Sequence, residues 1–402
     1  MPIDKTKVKR FIKVSKEVLE ELCLENGAIV AGNSGNPVYS KDTPNYMYVW
    51  PRDSAFICMA LNILGLRSQT ERFFEWCFER AIDKEGLLWQ RYTPNGLPEG
   101  FFIREIYKEK KIKELAKYIH PNALYQISEG IRSQLQPDGN GLILWALKDF
   151  TRNSIKAKQK FRGLAARLAD GICSIWEVKG YKYLIHGPWE EKIAFPGVNF
   201  TYTIAISIKG LKCAAQLCGS RKKWTKTGKQ MEKTIHGAFN KKGEVSAIFG
   251  ENYKKAKYKE IYSNGFSRGK FDPEVDSSLL FLVWPGELLY GGKALEQLVK
   301  KVDKKGGIIR YPGDSYDGVF IKGNSLRKGG NAWTLLNFWA AICLSKVGEK
   351  DRARNYYEWV LDRVDDYIPE QITDKGEHRG PSPLAWSHAM FVIASKELGY
   401  LK

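Results

Sequence analysis

The run His186-Gly187-Pro188-Trp189-Glu190-Glu191 sets two adjacent carboxylates behind a tryptophan and a Gly-Pro pair. Gly-Pro marks a loop, not the interior of a helix or strand. Two like charges in a row repel, and a Trp beside them offers a flat apolar wall. Desolvation and a neighbouring negative charge both raise a carboxyl pKa. That is what a general acid working near neutral pH needs. For these six residues alone, an exposed acidic loop with a core Trp is the simpler reading. The rest of the chain turns against it.

Other uncommon motifs stand just ahead of strongly apolar stretches. Tyr48-Val49-Trp50-Pro51-Arg52-Asp53 precedes one, and Gln136-Pro137-Asp138-Gly139 a second. Trp189-Glu190-Glu191 lies ahead of a third, and Phe271-Asp272-Pro273 ahead of a fourth. Arg310-Tyr311-Pro312-Gly313-Asp314 and Gly329-Gly330-Asn331 precede a fifth. Pro369-Glu370-Gln371 and Pro381-Ser382-Pro383 precede a sixth. Loops on a rigid scaffold are where chemistry is usually placed. Two carboxylates, an Arg-Asp pair and aromatic walls, without a His- or Cys-rich metal cage, form a glycosidase inventory. One carboxyl protonates the leaving oxygen, and the other activates water on the opposite face of the sugar. Glu190 and Glu370 are the pair, far enough apart in sequence to face each other across a funnel. Arg52 and Asp53 can donate to and accept from adjacent sugar hydroxyls. Buried polar groups of that kind discriminate strongly, because a wrong sugar leaves them unpaired.

The elements that would carry these loops alternate in pattern. Stretches beginning near 55, 142, 202, 277, 332 and 385 are apolar all round. Amphipathic helices precede or separate them: the first runs from Asp4, a candidate cap, with Val8, Phe11, Ile12, Ser15, Val18, Leu19 and Leu22 at helical spacing. The others cover 68–82, 158–177, 225–238, 293–302 and 349–364. Inner helices buried on both sides inside outer helices with one wet face make an all-α (α/α)6 barrel, one catalytic domain over 1–402. No motif repeats at a fixed length, which speaks against a helical-repeat stack. Residues 84–125 and 240–270 interrupt the pattern, the second with room for a short hairpin.

The 402 residues are 43% hydrophobic and 13% aromatic, enough for a large core, with twelve Trp and twenty Tyr that suit a carbohydrate groove or a helical core. No run of ~18 uncharged apolar residues predicts a membrane span, and Met1 to Glu21 has no signal-peptide core. Seven scattered cysteines, Cys23, Cys58, Cys77, Cys173, Cys213, Cys218 and Cys343, lack zinc-site spacing and read as reduced thiols of a cytoplasmic protein. Five scattered His argue against a His-based metal site, and no cofactor is called for. The net charge is +19, with lysines crowding 107–113, 155–161, 221–233 and 298–305. Such an excess can mark a polyanion partner. No nucleic-acid-binding signature accompanies it, so a solvated basic surface is the reading kept.

Taken together, the motifs resemble glycoside hydrolase family 15, the glucoamylases and their relatives. The resemblance runs from Pro44 to Ala389. Its most specific pieces are Tyr48 to Asp53, Trp189-Glu190-Glu191, Arg310 to Tyr316, Gly330-Asn331-Ala332-Trp333, Pro369-Glu370-Gln371 and Pro383-Leu384-Ala385-Trp386-Ser387, in the family's order. It implies an inverting exo-hydrolase that releases β-glucose from the non-reducing ends of α-linked glucose oligosaccharides or polysaccharides. By that match Glu190 is the general acid and Glu370 the general base. Arg52 and Asp53 would hold the terminal glucose, on which Tyr48 would stack. Trp189, Glu191 and Arg310 would contact substrate around the cleaved bond, with Trp386 near the base loop. Gly187 stands where many members carry Asp, and Arg132 replaces an expected Trp. Both changes bear on linkage preference, so isomaltose/dextran glucohydrolase and trehalase activities stay open beside α-glucan hydrolysis. No β-sandwich or starch-binding domain is expected, which points to small oligosaccharides or cytoplasmic glycogen fragments.

Each residue also has a plainer reading. Arg52-Asp53 could cap an inner helix by its dipole. Trp333 and Trp386 could be core, Asp314 could only fasten a turn, and His388 reads as a satisfied core histidine. A non-catalytic glycan-binding barrel is the alternative from another class, and retention of both Glu190 and Glu370 speaks against it.

Overall fold

The structure is a computed structural model. It describes residues 4–99, 118–122, 134–241, 244–250, 275–288, 292–321, 324–325 and 329–401. In chain order the α-helices are α1 Lys5–Glu21, α2 Pro51–Ile63, α3 Arg67–Trp76, α4 Asp138–Thr151, α5 Ile155–Lys160 and α6 Arg162–Ser174. They continue with α7 Thr201–Cys218, α8 Lys222–Ile235, α9 Gly292–Val302, α10 Thr334–Lys346, α11 Lys350–Leu361 and α12 Ala385–Glu397. Strands are two-residue ladders at loop ends. The chain is all-α in class.

The residues group into two compact units. The first draws on Met1–Tyr48, Phe56–Glu71 and Phe266–Lys402, the second on Val49–Ala55 and Arg72–Gly265. In the first, Asp4 caps α1 by accepting from the N–H groups of Thr6 (2.8 Å) and Lys7 (3.2 Å). The α1 stripe Val8, Phe11, Ser15, Val18 and Leu19 is buried, and the helix packs on α12. From Thr334 to Leu344 every residue of α10 is buried, as is α12 from Ala385 to Ser395. Helix α10 packs against both α11 and α12. In the second unit α4 and α7 are the buried pair, flanked by α6 and, on α7, by α8. Their crossing is close enough to need glycine. A Cβ at Gly141 would sit 2.5 Å from the carbonyl oxygen of Ile206, and one at Gly210 would sit 2.7 Å from Gly141 Cα.

The expected alternation of apolar and amphipathic helices holds with one correction. Ser277 to Trp284 is apolar and buried, but it forms a 3-10 helix, Ser277–Leu282, not an inner α-helix. Asp276 fixes its start by accepting from Ser278 N–H at 2.8 Å. Pro285 lacks an N–H and cannot extend a helix, and Gly286 N–H turns back to the Phe281 carbonyl at 2.8 Å. The amphipathic stretch 68–82 is α3 continued by a π-helical turn, Cys77–Ala81. The stretch 158–177 divides at Phe161 into α5 and α6. Phe239 and Val245 bridge antiparallel where a short hairpin was expected. Arg132, Phe271-Asp272-Pro273 and the lysines of 107–113 lie outside the described residues. No helix among the described residues is long and apolar enough to cross a membrane.

Candidate active site

In the second unit the acidic loop is a hairpin turn. His186 pairs with Ile193, and Gly187 N–H donates to the Lys192 carbonyl at 2.8 Å. Pro188 presets the turn's φ, and Glu190 N–H closes it on the Gly187 carbonyl at 3.0 Å. Glu190 then falls in the left-handed region, φ 65°. An L-residue there costs roughly 1–2 kcal/mol, and such strain collects at functional sites. The turn lifts the Glu190 carboxylate into a set of donors. Its Oε1 accepts from Trp50 Nε1 at 3.0 Å and from Arg52 at 3.0 Å, and its Oε2 accepts from the Gln90 amide.

The donors are themselves held. Pro51 opens α2, so Arg52 and Asp53 sit in its first turn. Arg52 also donates to Gln136 at 3.2 Å, and lies 3.4 Å from Asp53 and 3.6 Å from Asp138. Gln136 donates to Gln134 at 3.1 Å, and Tyr202 donates to Asp138 at 2.6 Å. One guanidinium thus serves three carboxylates. Burial pushes Asp53 up to about 7, with Glu190 and Asp138 adding to the rise and Arg52 opposing it. Asp138 is raised as well, first by burial. The Asp53 Oδ1 atom is buried and meets Arg52 Nε as an ion pair at 3.4 Å without a well-formed hydrogen bond. Trp189 and Glu191 are buried beside Glu190 in the same turn.

In the first unit Glu370 is buried at a bend just ahead of the strand Gln371–Ile372. Its N–H bonds the Pro381 carbonyl at 2.9 Å, and its carbonyl accepts from Thr334 N–H at 3.1 Å. Tyr46 OH donates to Oε1 at 3.2 Å and the Gln371 amide to Oε2 at 3.0 Å. Asn331 donates to the other end of the Gln371 amide at 3.1 Å. Two left-handed glycines make room for the carboxylate. A Cβ on Gly380 (φ 73°) would lie 2.4 Å from Oε2, and one on Gly318 (φ 69°) would lie 3.0 Å from it. Burial and the Glu370 charge hold the Tyr46 phenol well above its ordinary range.

Tyr46 in turn hydrogen-bonds Tyr316. Tyr316 stacks on the Arg310 guanidinium (5.1 Å), as does Trp333 (4.9 Å). The Arg310 fork is bidentate to Asp314, at 2.8 and 2.7 Å. Asp314 also accepts from Tyr316 N–H at 3.0 Å, so it fastens the turn and the arginine together. Trp386 stacks on Phe56 (5.6 Å, 23°) within an aromatic core with Trp339. Tyr48 is half-buried, and its carbonyl accepts from Ala31 N–H at 2.9 Å. The tyrosine hydroxyl that reaches Glu370 belongs to Tyr46, two residues upstream. His388 is a satisfied core histidine: Nε2 accepts from Ile368 N–H at 3.1 Å, and Nδ1 bonds Ser15 Oγ at 2.9 Å. Among the described residues no group of His, Cys, Asp or Glu is placed to hold a metal.

Sequence reasoning missed the amides and the phenol. Trp50, Gln136 and Asp138 stood inside quoted motifs without a role. Gln90 carried only a faint signal, a lone amide after the apolar Leu87-Leu88-Trp89.

Comparison with solved structures identifies the fold as the helical barrel of the glucoamylases. A glucoamylase from Saccharomycopsis fibuligera superposes with a TM-score of 0.66 at 16% identity, covering 99% of this chain and 97% of that one. A glycosidase variant in complex with glucose gives 0.69 at 18% identity, with both chains fully covered. The sequence model described as glycosyl hydrolases family 15 matches residues 25–359. The chain belongs to that family and is a glycoside hydrolase. An uncharacterised glycosyl hydrolase of Methanocaldococcus jannaschii is 26% identical across 96% of this chain, which spans only 55% of that protein's length. The isomaltose glucohydrolase of Kribbella flavida is 23% identical over 88% of this chain and 85% of its own.

Proposed function

We propose that this chain is an inverting, exo-acting α-glucosidase that releases β-glucose from non-reducing ends of α-glucan oligosaccharides. Glu190 protonates the glycosidic oxygen as the C1–O bond breaks. Glu370 takes the proton of the water that attacks C1 from the opposite face. The observation that carries the reading is the Arg52–Asp53 pair beside Glu190. Asp53 Oδ1 is buried with a 3.4 Å ion pair to Arg52 Nε in place of a well-formed hydrogen bond, and Arg52 bridges from it to the acid. A buried acceptor left without a good hydrogen bond costs up to ~1–3 kcal/mol. A sugar hydroxyl removes that cost while fixing the ring relative to Glu190. Tyr48, Trp189, Glu191, Arg310 and Trp386 belong to the proposal as substrate contacts or their supports. The two units acting as one catalytic domain is part of it too. A reducing, cytoplasmic setting is proposed on the seven cysteines, none of them in a disulfide and six of them buried.

A second reading, isomaltose hydrolysis, has its own support. The Phe200 ring lies 3.2 Å from where a Gly187 Cβ would stand, so an apolar face replaces an acid next to the Glu190 turn. The Kribbella flavida relative bears that activity in its name. Glucose release from maltose, isomaltose, trehalose and soluble starch separates the readings. Preference for maltose and starch supports the first, and preference for isomaltose the second. Turnover of trehalose alone would replace both.

A further inference from the structure

The two carboxylates each take a hydrogen bond from a buried glutamine, and the two glutamines are held differently. Gln371 is locked at both ends: Nε2 donates to Glu370, and Oε1 accepts from Asn331. Gln90 is locked at one end. Its Nε2 donates to Glu190 Oε2, its Oε1 has no hydrogen-bond partner, and the residue is 1% exposed. Nothing in its hydrogen bonding opposes rotation by 180° about Cγ–Cδ, a broad two-fold torsion. That rotation puts the carbonyl where the amide N–H₂ stands. Gln90 then accepts from a Glu190 Oε2–H, where before it donated to a carboxylate.

The other oxygen of Glu190 has no such freedom. Oε1 receives Trp50 and Arg52, which can only donate, so the acidic proton belongs on Oε2, the Gln90 side. We propose that Gln90 is a positioning residue that inverts with the protonation state of Glu190. Its carbonyl holds the proton on Oε2 before the leaving group is protonated, and its N–H₂ receives the carboxylate afterwards. The proton passes from Oε2 to the glycosidic oxygen, and the amide turns without a change of charge. A base that begins each turnover as a carboxylate needs a fixed donor, and Gln371 is one. An acid that begins protonated needs an acceptor that can become a donor.

The inference rests on Glu190 being the general acid, and its test keeps the two separable. Charged or titratable groups around Glu190 are Arg52 and Asp53 from α2, Asp138 from α4 with its Tyr202 partner from α7, and Glu191 and Lys192 in its own turn. Arg91 stacks on Trp50 at 5.4 Å. All are kept in Gln90→Met, which matches the side chain in length but has no amide to donate or accept in this way. The pH profile of kcat/KM is measured for the wild type, Gln90→Met and Glu190→Gln, with thermal unfolding as the folding check. If Gln90 accepts from the acid and donates to the carboxylate, its loss weakens both states, so kcat falls while the high-pH limb stays near its wild-type pH. If Gln90 only donates to the carboxylate, the limb moves to higher pH, and the proposal is overturned. A limb moved to lower pH overturns the inversion too, because Gln90 then serves the acid alone, and so does an unchanged kcat. Should Gln90→Met unfold, Gln90→Leu provides the same reading. Glu190→Gln that keeps wild-type turnover sinks the acid assignment itself, whatever Gln90→Met shows.

Discussion

Two glutamates in one chain are presented by opposite local structures. Glu190 stands at the left-handed corner of a four-residue turn, its side chain 17% exposed, with a guanidinium among its donors. Glu370 lies at a bend without a left-handed φ, 3% exposed, with Tyr46 and Gln371 among its donors and glycines pressed against it. The first is aimed by backbone strain and surrounded by ionic groups. The second is enclosed, and its reach is set by how closely Gly318 and Gly380 approach. A carboxyl that must hand a proton to a leaving group gains from a mobile set of partners and nearby negative charge. One that must direct a water gains from rigidity.

The largest test of that contrast removes each charge and leaves the shape. Glu190→Gln and Glu370→Gln are each expected to lower kcat by ~10²–10⁴-fold or more, with unfolding little changed. Near-wild-type turnover in either variant would take that residue out of the chemistry.

The arginines sharpen the comparison. Arg52→Ala strands Asp53, Asp138 and Gln136 and removes a donor from Glu190. The expected loss is ~1.5–3 kcal/mol, about 10- to 150-fold in kcat/KM. Arg310→Ala breaks a buried bidentate pair and should appear first as lost stability, ~3–5 kcal/mol. Normal kinetics in folded Arg52→Ala would make the pair a helix cap. Asp53 adds a pH dependence. Its folded pKa of about 7 exceeds the unfolded ~3.9, so the folded chain binds the extra proton between those values. That contribution to stability is present below pH ~4 and is lost as pH rises through about 7. Asp53→Asn should flatten the fall, as read by chemical denaturation across that range.

Backbone strain predicts a smaller inversion. At position 190, Gly should be more stable than Ala by roughly 1 kcal/mol, because Gly tolerates φ 65°. At position 370, where φ is not left-handed, the usual order should hold, with Ala ahead by ~0.5–1 kcal/mol. Equal stability of Glu190→Gly and Glu190→Ala would remove strain from the account.

A further contrast concerns two buried histidines. Burial lowers both to about 3. His388 is bonded at both nitrogens, and His186 at neither. His388→Phe strands a backbone N–H and a serine and should cost ~1–3 kcal/mol. His186→Phe strands nothing and should stay within ~1 kcal/mol, unless the larger ring overpacks. Each folded value lies below the unfolded ~6.5, so either change should remove some acid sensitivity between pH ~6.5 and 3.

Much of this was legible from residue types. Apolar runs located α2, α4, α7, α10 and α12 because burial on all sides leaves no polar face to interrupt them. Ser277 to Trp284 failed because composition reports burial, while Pro285 and Gly286 decide whether a buried run closes as an α-helix. Glu190, Arg52 and Asp53 were found by charge in an apolar context, and the structure brings them together. Gln90, Gln371 and Tyr46 were not. Uncharged polar residues are common, and what distinguishes these is the atom each faces. Trp386 shows the reverse case, a motif residue that packs on Phe56 and Trp339.

The central claim is that Glu190 gives a proton while Glu370 directs a water, with no covalent sugar intermediate. Inversion needs the carboxyls ~6.5–9.5 Å apart, against ~5–5.5 Å for retention. Proton NMR of the anomeric signals in the first moments of hydrolysis of an α-linked glucoside tests it. β-Glucose should appear first, with α-glucose growing in by mutarotation. α-Glucose first would contradict the inverting mechanism and the roles of both glutamates.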